Sequence, residues 1–299
     1  MKKRTLATLI IIIAAAVSVT GCSSAIEKKT SDEGDTARTE EDSQQQSENH
    51  EENKTTAEVK AAGITADRPE EYLEKYIRTY YIDRTQDVST IWENCVSEKS
   101  KSIGFISEQD YVNHVKQQLF ENECTDILII NEGEVQDNIY KLDVTYKLLQ
   151  GSFENPLEEE WYIIDEDGEY RLLLSGVMDA IYYSSEDNEE DDFELKDLTA
   201  FIMTDGISFT YELVNHSDHT VYLGPWASTV TIYLTMDDGQ VYSTSYGHMI
   251  SITPNNSDLE DPFFEGASGV PAELKFDTIT YVGENGLPVG ETSFTNTLD

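Results

Sequence analysis

Two histidines are the first residues with evident chemistry. His216 and His219 stand three positions apart in a polar segment, a spacing that can bring two imidazoles to one metal ion. Zinc usually takes three or four protein ligands, and neither a cysteine nor a third histidine lies near this pair in the sequence. We therefore interpret the pair as part of a surface turn, and we predict no metal site there.

Acidic segments are a second candidate, because calcium binds to oxygen ligands and extracellular modules bind it weakly. The segment Asp165–Asp167 is followed by Gly168, but it lacks the length and the terminal glutamate of an EF-hand loop. Solvated turns are the simpler interpretation, and a cation site is the alternative; we predict no cofactor. The acidic segments are Asp165–Asp167, Glu186–Asp192, Asp237–Asp238 and Asp258–Asp261.

General acid–base catalysis is the third candidate chemistry. Tyr76 and Tyr80 could face a cavity in which Asp110 or Asp143 supplies a base, as in isomerases and dehydratases. Each of these residues is explained more simply by a place in the core or on the surface. The sequence has no nucleophile elbow, Walker loop, dinucleotide glycine motif or H-E-x-x-H motif. We therefore assign no catalytic residue.

The N-terminus carries the most specific motif. Three positive charges within residues 1–4 precede the apolar run Leu6–Val19, which is typical of a signal peptide and short for a membrane span. The run ends in Val19-Thr20-Gly21-Cys22, which resembles the bacterial lipobox. The resemblance implies cleavage before Cys22, lipid on that cysteine and attachment to the extracellular face of the cell membrane. An ordinary secretory signal or an uncleaved anchor is the alternative.

Export bears on the two remaining cysteines. Cys95 and Cys124 form an even pair in an exported chain, which favours a disulfide worth about 3–4 kcal/mol on the chain-entropy model. Cys95 also lies on an apolar helical face, so two unpaired thiols are the alternative. No histidine stands in a recognisable arrangement with either cysteine, which disfavours a nucleophilic thiol.

Charge and composition exclude some functions and define a spacer. The formal net charge is −39, so nucleic acid is not an expected partner, because binding to phosphates needs a basic surface. Residues 23–66 contain no Phe, Trp or Tyr and are rich in acidic and amide side chains. Such a segment cannot bury enough apolar surface to fold. We predict that residues 22–66, the lipidated cysteine included, form a disordered acidic tether.

The folded part begins near Asp67, with helical patterns first. Apolar residues at Tyr72, Leu73, Tyr76 and Ile77 continue to Tyr81 at helical spacing, and a second helix is predicted over 88–95. A capping box at 107–110 predicts the start of a third. The period then changes to two, and residues 161–174 predict a hairpin around an Asp-Gly turn.

Helices followed by antiparallel strands indicate an α+β domain. This order, with the stretch from Glu160 to Leu172, resembles the nuclear transport factor 2-like superfamily. The resemblance covers about residues 67–176 and implies a cone of curved sheet wrapped on helices, with a pocket between them. We assign residues 67–183 to this domain and residues 184–192 to an acidic linker.

After the linker the sequence predicts strands only. Leu213-Val214-Asn215, a polar turn, Val221-Tyr222-Leu223 and Asp237-Asp238-Gly239 resemble the immunoglobulin-like modules of Gram-positive lipoproteins. The predicted fold class is therefore multidomain. A lipoprotein signal peptide over 1–21 and the tether precede the α+β domain, and an all-β immunoglobulin-like sandwich follows over 193–299.

These features favour a membrane-anchored lipoprotein with a non-catalytic binding or scaffolding role at the cell envelope. Its expected partners are the membrane, through the N-terminal lipid, and an envelope protein or cell-wall component. A pocket-based enzyme and a carrier of a small ligand or cation are the alternatives. A buried carboxylate in a closed pocket would favour the enzyme, whereas a pocket filled by side chains would favour contact with a partner.

Overall fold

Strands dominate the folded part of the chain. The computed structural model describes residues 63–154, 156–184 and 192–298, of which 50% lie in strands and 20% in helices. The predicted signal peptide, the lipobox with Cys22 and nearly all of the predicted tether lie outside these residues. No helix in the part described is long and apolar enough to cross a membrane.

Four short α-helices precede the first strand. They are α1 (Pro69–Ile77), which continues as a π-helical turn (Arg78–Ile82), α2 (Ile91–Cys95), α3 (Glu98–Ile103) and α4 (Glu108–Glu121). A 3₁₀ turn (Val88–Thr90) leads into α2. Ser107 caps α4 by accepting a 3.2 Å hydrogen bond from the backbone N–H of Asp110, which confirms the predicted start.

The helices pack on one face of a four-stranded antiparallel sheet. Its strands are β1 (Cys124–Gln136), β2 (Ile139–Leu148), β3 (Leu157–Glu166) and β4 (Glu169–Leu172), paired in that order. The predicted hairpin is confirmed, with Asp167 at φ 57° and Gly168 at φ 88° in its turn. We call residues 63–176 the helical half. Its core is rich in tyrosine, since Tyr72, Tyr76 and Tyr80 are fully or almost fully buried.

Two further sheets, which together we call the sandwich, pack face to face. One has the order β12-β7-β6-β5 with β13 also on β7, and the other has the order β10-β9-β14-β8-β11 with β15 on β14. The rings of Tyr211 and Phe276, one from each sheet, meet edge to face at 5.9 Å. The strands are β5 (Val177–Tyr182), β6 (Phe193–Met203), β7 (Gly206–Asn215), β8 (Thr220–Leu223), β9 (Thr231–Met236), β10 (Val241–Ser245), β11 (Ile250–Ile252), β12 (Ser257–Glu260), β13 (Phe263–Glu265), β14 (Pro271–Val282) and β15 (Pro288–Thr297).

The acidic run at 184–192 connects two neighbouring strands. β5, which ends the segment assigned to the first domain, pairs antiparallel with β6, from Val177 opposite Met203 to Tyr182 opposite Thr199. Phe105 of the helical half also packs edge to face against Phe201 of β6 at 6.0 Å. The two halves therefore share apolar contacts as well as a chain connection.

The predicted fold class was wrong. The structure is mainly β, with three sheets and a few short helices, and not a nuclear transport factor 2-like α+β cone followed by an immunoglobulin-like domain. Periodicity located most helices and strands correctly, but it carries no information on which strands pair. The strand that closes the first predicted block instead belongs to a sheet of the sandwich.

Candidate functional site

An open groove lies on the sandwich where the turn before β8 meets the β14–β15 hairpin. We call it the acidic groove. Its volume is about 460 Å³, within the range that ligand sites occupy. Its lining residues come from the start of β6, the turn between β7 and β8, and the two strands of the hairpin. They are Asp192, Ser217, Asp218, His219, Tyr281, Val289 and Gly290.

Asn215 holds the turn that forms one wall of the groove. Its buried side-chain amide donates to the carbonyl oxygens of His219, at 2.8 Å, and Ile252, at 3.0 Å. Its Oδ1 accepts hydrogen bonds from the backbone N–H of Ser217, at 3.0 Å, and from the Ser217 hydroxyl, at 2.6 Å. An asparagine that closes a turn on its own backbone in this way fixes the turn's shape before any ligand binds.

Two contacts fix Asp192 between this turn and the β14–β15 hairpin. The hydroxyl of Tyr281 donates a 2.5 Å hydrogen bond to the Asp192 carboxylate, and the backbone N–H of His216 donates to the Asp192 carbonyl at 2.8 Å. The ring of His219 lies edge to face against Tyr281, with centroids 6.0 Å apart. The carboxylate, the phenol and the imidazole therefore share one surface.

The electrostatics of the groove favour a cation. Two carboxylates, Asp192 and Asp218, line it, and no Lys or Arg does so among the described residues. Partial burial raises the pKa of Tyr281, and its hydrogen bond to Asp192 raises that pKa further, so the phenol stays a neutral donor. A carboxylate beside an aromatic ring is a suitable receptor for an ammonium or guanidinium group.

A second candidate site is a small inner cavity between α4 and the sheet of the helical half. Glu159 lies there on the inner face of β3, opposite Val144 and on the same face as Leu157 and Trp161. Burial raises the pKa of Glu159, and hydrogen bonding with Tyr146 and Trp161 offsets only part of this rise. The lining residues are Tyr81, Gln118, Asn122, Cys124, Tyr146, Leu148, Leu157 and Glu159.

This inner cavity is nearly filled by its own side chains. Its volume is about 20 Å³, which is room for about one water molecule. The Nε1 of Trp161 donates a 2.9 Å hydrogen bond to the hydroxyl of Tyr146, which holds two of the surrounding rings in place. A buried carboxylate is present, therefore, but there is no space for a substrate beside it.

Comparison with known proteins gives no assignment. No family model matches the chain, and no curated protein matches it either. Among solved structures, Northeast Structural Genomics Consortium target SoR45 aligns with 16% identity and a TM-score of 0.20, over 40% of this chain and 77% of that one. A Bordetella pertussis protein described as ApaA aligns with 16% identity and a TM-score of 0.18, over 38% of this chain and 86% of that one. Scores this low carry no argument about fold or function.

The structure separates the two histidines of the H-x-x-H spacing. The Nε2 of His216 lies 2.9 Å from Glu194 Oε2, whereas the Nδ1 of His219 contacts the Asp218 carboxylate. No group of three or more His, Cys, Asp or Glu side chains that could hold a metal ion occurs in the part of the chain that the structure describes. The histidines belong to a surface turn, as predicted.

Glu194 beside this turn is a buried carboxylate with two side-chain partners, His216 and Lys196. Burial by itself would raise its pKa, but hydrogen bonds from His216 and Lys196 outweigh burial and lower the pKa. The Nζ of Lys196 lies 3.2 Å from the same Oε2. This ion pair joins β6 to the turn next to the groove, and neither Glu194 nor Lys196 lines the groove.

The predicted disulfide is not formed in the structure. Cys95 and Cys124 are both buried free thiols. The thiol of Cys95 donates to the Tyr80 hydroxyl at 3.9 Å, and that of Cys124 donates to the Asp126 carbonyl at 3.3 Å. Burial raises the pKa of Cys95 to about 11 and also raises that of Cys124, so neither thiol is activated as a nucleophile.

The structure does not bring together the residues considered for acid–base chemistry. Tyr76 and Tyr80 are buried in the aromatic core. Asp110 lies in the first turn of α4, where its carboxylate accepts a hydrogen bond from the hydroxyl of the capping residue Ser107. Asp143 alternates with the buried Leu142 and Val144, so it lies on the outer face of β2. None of the four lines the inner cavity.

The sequence pointed to two residues of the acidic groove, His219 and Asp192, as candidate ligands, but it did not point to Tyr281 or to Glu159 of the inner cavity. Glu159 stands inside the run Glu158-Glu159-Glu160 and reads as solvated, although the period of two puts it on the buried face with Trp161. The alternation of side chains along β3 could therefore have identified Glu159 as a buried carboxylate. Tyr281 and Asp192 are 89 residues apart, and no local pattern could have joined them.

Proposed function

We propose that the protein is a lipid-anchored extracytoplasmic lipoprotein that binds, without catalysis, a cationic group of another envelope component in the acidic groove. The observation that carries this proposal is the contrast between the two candidate sites. The groove is open, about 460 Å³ in volume and lined by Asp192 and Asp218, whereas the inner cavity has a volume of about 20 Å³.

The anchor part of the proposal rests on Val19-Thr20-Gly21-Cys22 directly after an apolar run. Lipid on Cys22 would tether the folded halves to the membrane through a long polar segment. On this proposal, Cys22→Ala leaves an unprocessed precursor or releases the protein into the medium. Unchanged processing and membrane attachment of that variant would contradict the lipoprotein proposal.

The binding part of the proposal rests on the negative charge of the groove, and a matched pair of variants tests it. Oligolysine, labelled with a fluorophore, is expected to bind the full mature chain carrying Cys22→Ala, and the affinity is expected to fall as salt rises. The double substitution Asp192→Asn and Asp218→Asn is expected to weaken binding by roughly tenfold or more, a loss of about 1.4 kcal/mol.

The matched control is the double substitution Asp237→Asn and Asp238→Asn. It removes the same two charges from another acidic turn, which lies between β9 and β10 and does not line the groove. Its affinity is expected to stay within about twofold of the unsubstituted protein, because distant surface charges are screened. If both double variants weaken binding equally, oligolysine is attracted by the net charge of the protein and not by the groove. If oligolysine does not bind at all, the proposed function is contradicted.

An enzyme that uses Glu159 is the second candidate. The raised pKa of a buried carboxyl beside tyrosines is the observation in its favour. A reaction at Glu159 would first need α4 to move away from the sheet, because the cavity holds about one water molecule. We therefore favour the binding function.

A further inference from the structure

We infer that the partner of the acidic groove is an extended basic segment of another protein, which pairs as an added strand along β15 and places a Lys or Arg side chain in the groove. This inference rests on the proposed function and names the kind of partner that the groove takes.

The first support is the free edge of β15. This strand of ten residues pairs with β14 and, within the described residues, with no other strand. In an antiparallel ladder every second residue of an edge strand directs its backbone N–H and C=O away from its neighbour. A charged side chain or a proline on an edge strand usually prevents a further strand from pairing. In β15 these are confined to the groove end, at Pro288 and Glu291, and the segment from Thr292 to Thr297 has neither.

The other long edges are obstructed. β1 carries Asp126, Glu132 and Glu134 and has three register shifts in its pairing with β2. β5 packs against α3, and the hydroxyl of Tyr182 donates a 3.2 Å hydrogen bond to the carbonyl of Ile103. β10 is only five residues long. β15 carries one charged residue, Glu291, and has two register shifts in its pairing with β14, so the segment 292–297 is the least obstructed of the long edges.

The second support is that this edge runs into the groove. Val289 and Gly290, near the start of β15, line the groove, and Gly290 pairs with Tyr281 of β14. Gly290 has no side chain, and a glycine inside a strand often marks a place where another backbone approaches closely. A strand added along β15 would therefore pass the phenol of Tyr281 and the carboxylate of Asp192 at one end.

The third support is charge complementarity, which selects among occupants. The whole chain has a formal net charge of −39, so a second copy would be repelled. The acidic segment before residue 63 is disfavoured for the same reason. The backbone of a basic extended segment can form hydrogen bonds with the edge of β15, and one of its cationic side chains can bind to the carboxylates of the groove.

The experiment compares the binding of two peptides of equal charge to the mature chain with Cys22→Ala, in which residues 23–299 are unchanged. One is an eight-residue peptide that alternates lysine with threonine. The other is the same peptide with its backbone N-methylated at every second residue on the side that would face β15, so that the donors to the sheet are lost. We expect the N-methylated peptide to bind at least about tenfold more weakly, and we expect the unmethylated peptide to slow amide hydrogen exchange across 291–297.

The outcomes separate the two proposals. Equal affinity of the two peptides, or unchanged exchange across 291–297, would overturn strand addition and leave the groove as a receptor for a cation. If neither peptide binds and oligolysine also fails to bind, the proposed function itself is contradicted. Because only the peptide changes, misfolding of a variant cannot imitate either result.

Discussion

Tyr72 and Tyr76 lie one helical turn apart on α1 and are both fully buried, but only one of their hydroxyls makes a well-formed hydrogen bond. The hydroxyl of Tyr72 donates a 3.1 Å hydrogen bond to the backbone carbonyl of Cys95. The hydroxyl of Tyr76 makes no well-formed hydrogen bond within the described part of the chain, although the hydroxyls of Tyr81 and Tyr111 are its neighbours. A buried polar atom without a partner costs free energy.

The two tyrosines should therefore respond in opposite directions to removal of the hydroxyl. Tyr72→Phe is expected to lower the free energy of unfolding by about 1 kcal/mol, because it breaks a buried hydrogen bond. Tyr76→Phe is expected to leave it unchanged or to raise it by about 1 kcal/mol, because it removes an unsatisfied group and keeps the ring. Urea denaturation of both variants measures the difference. A loss of stability in Tyr76→Phe equal to that in Tyr72→Phe would show that the second hydroxyl is also bonded.

The helical half shows how far periodicity predicts structure. The apolar spacing from Tyr72 to Tyr81 and the capping box at Ser107 gave α1 and α4 correctly, because these signals are local. Glu98–Ile103 was not predicted as a helix, since it has no apolar stripe. That helix is stabilised by a contact from β3. The carboxylate of Glu166 accepts hydrogen bonds from the backbone N–H groups of Glu98, at 3.0 Å, and Lys99, at 3.1 Å.

Strand pairing was beyond the reach of the sequence signals. The segment after residue 192 was predicted to form strands only, and most of them were located, although β6, β12 and β13 were not. Alternation gives a strand's buried face and not its neighbour. The acidic run read as a linker because charge runs usually separate domains, whereas here β5 and β6 pair across it. For the same reason the acidic groove, which joins the start of β6 to the β14–β15 hairpin, could not be foreseen.

The free thiols give a second prediction. In the mature chain with Cys22→Ala, two thiols per molecule should react with a thiol reagent after unfolding without reductant, because Cys95 and Cys124 are unpaired. The folded protein should react slowly, since Cys95 is 0% exposed and Cys124 7%. Titration before and after unfolding measures both numbers. If the two thiols react only after a reductant is added, Cys95 and Cys124 form the disulfide that the sequence favoured.

Glu260 at the end of β12 gives the third prediction, which concerns pH. Burial raises the pKa of this carboxyl to about 8, and the nearby carboxylate of Asp258 adds to the rise. The group is 5% exposed and lies beside Tyr246, whose hydroxyl is 2.7 Å from that of Tyr211. In the unfolded chain its pKa returns to about 4.5.

The sign follows from proton binding. Between about pH 4.5 and about pH 8 the folded protein keeps the proton of Glu260 that the unfolded chain has lost, so ionisation favours unfolding as the pH rises. The stability contributed by this group is full below about pH 4.5 and is lost as the pH rises through about 8. Glu260→Gln keeps a side chain of the same shape but removes the ionisable group. As the pH rises from about 4.5 to about 8, the free energy of unfolding of this variant should therefore increase relative to that of the unsubstituted protein. Glu265→Gln, at an exposed position on β13, is the control for the loss of one carboxylate charge from this edge of the sandwich. A difference for Glu260→Gln that does not change with pH would mean that the Glu260 carboxyl ionises in the folded protein as it does in water.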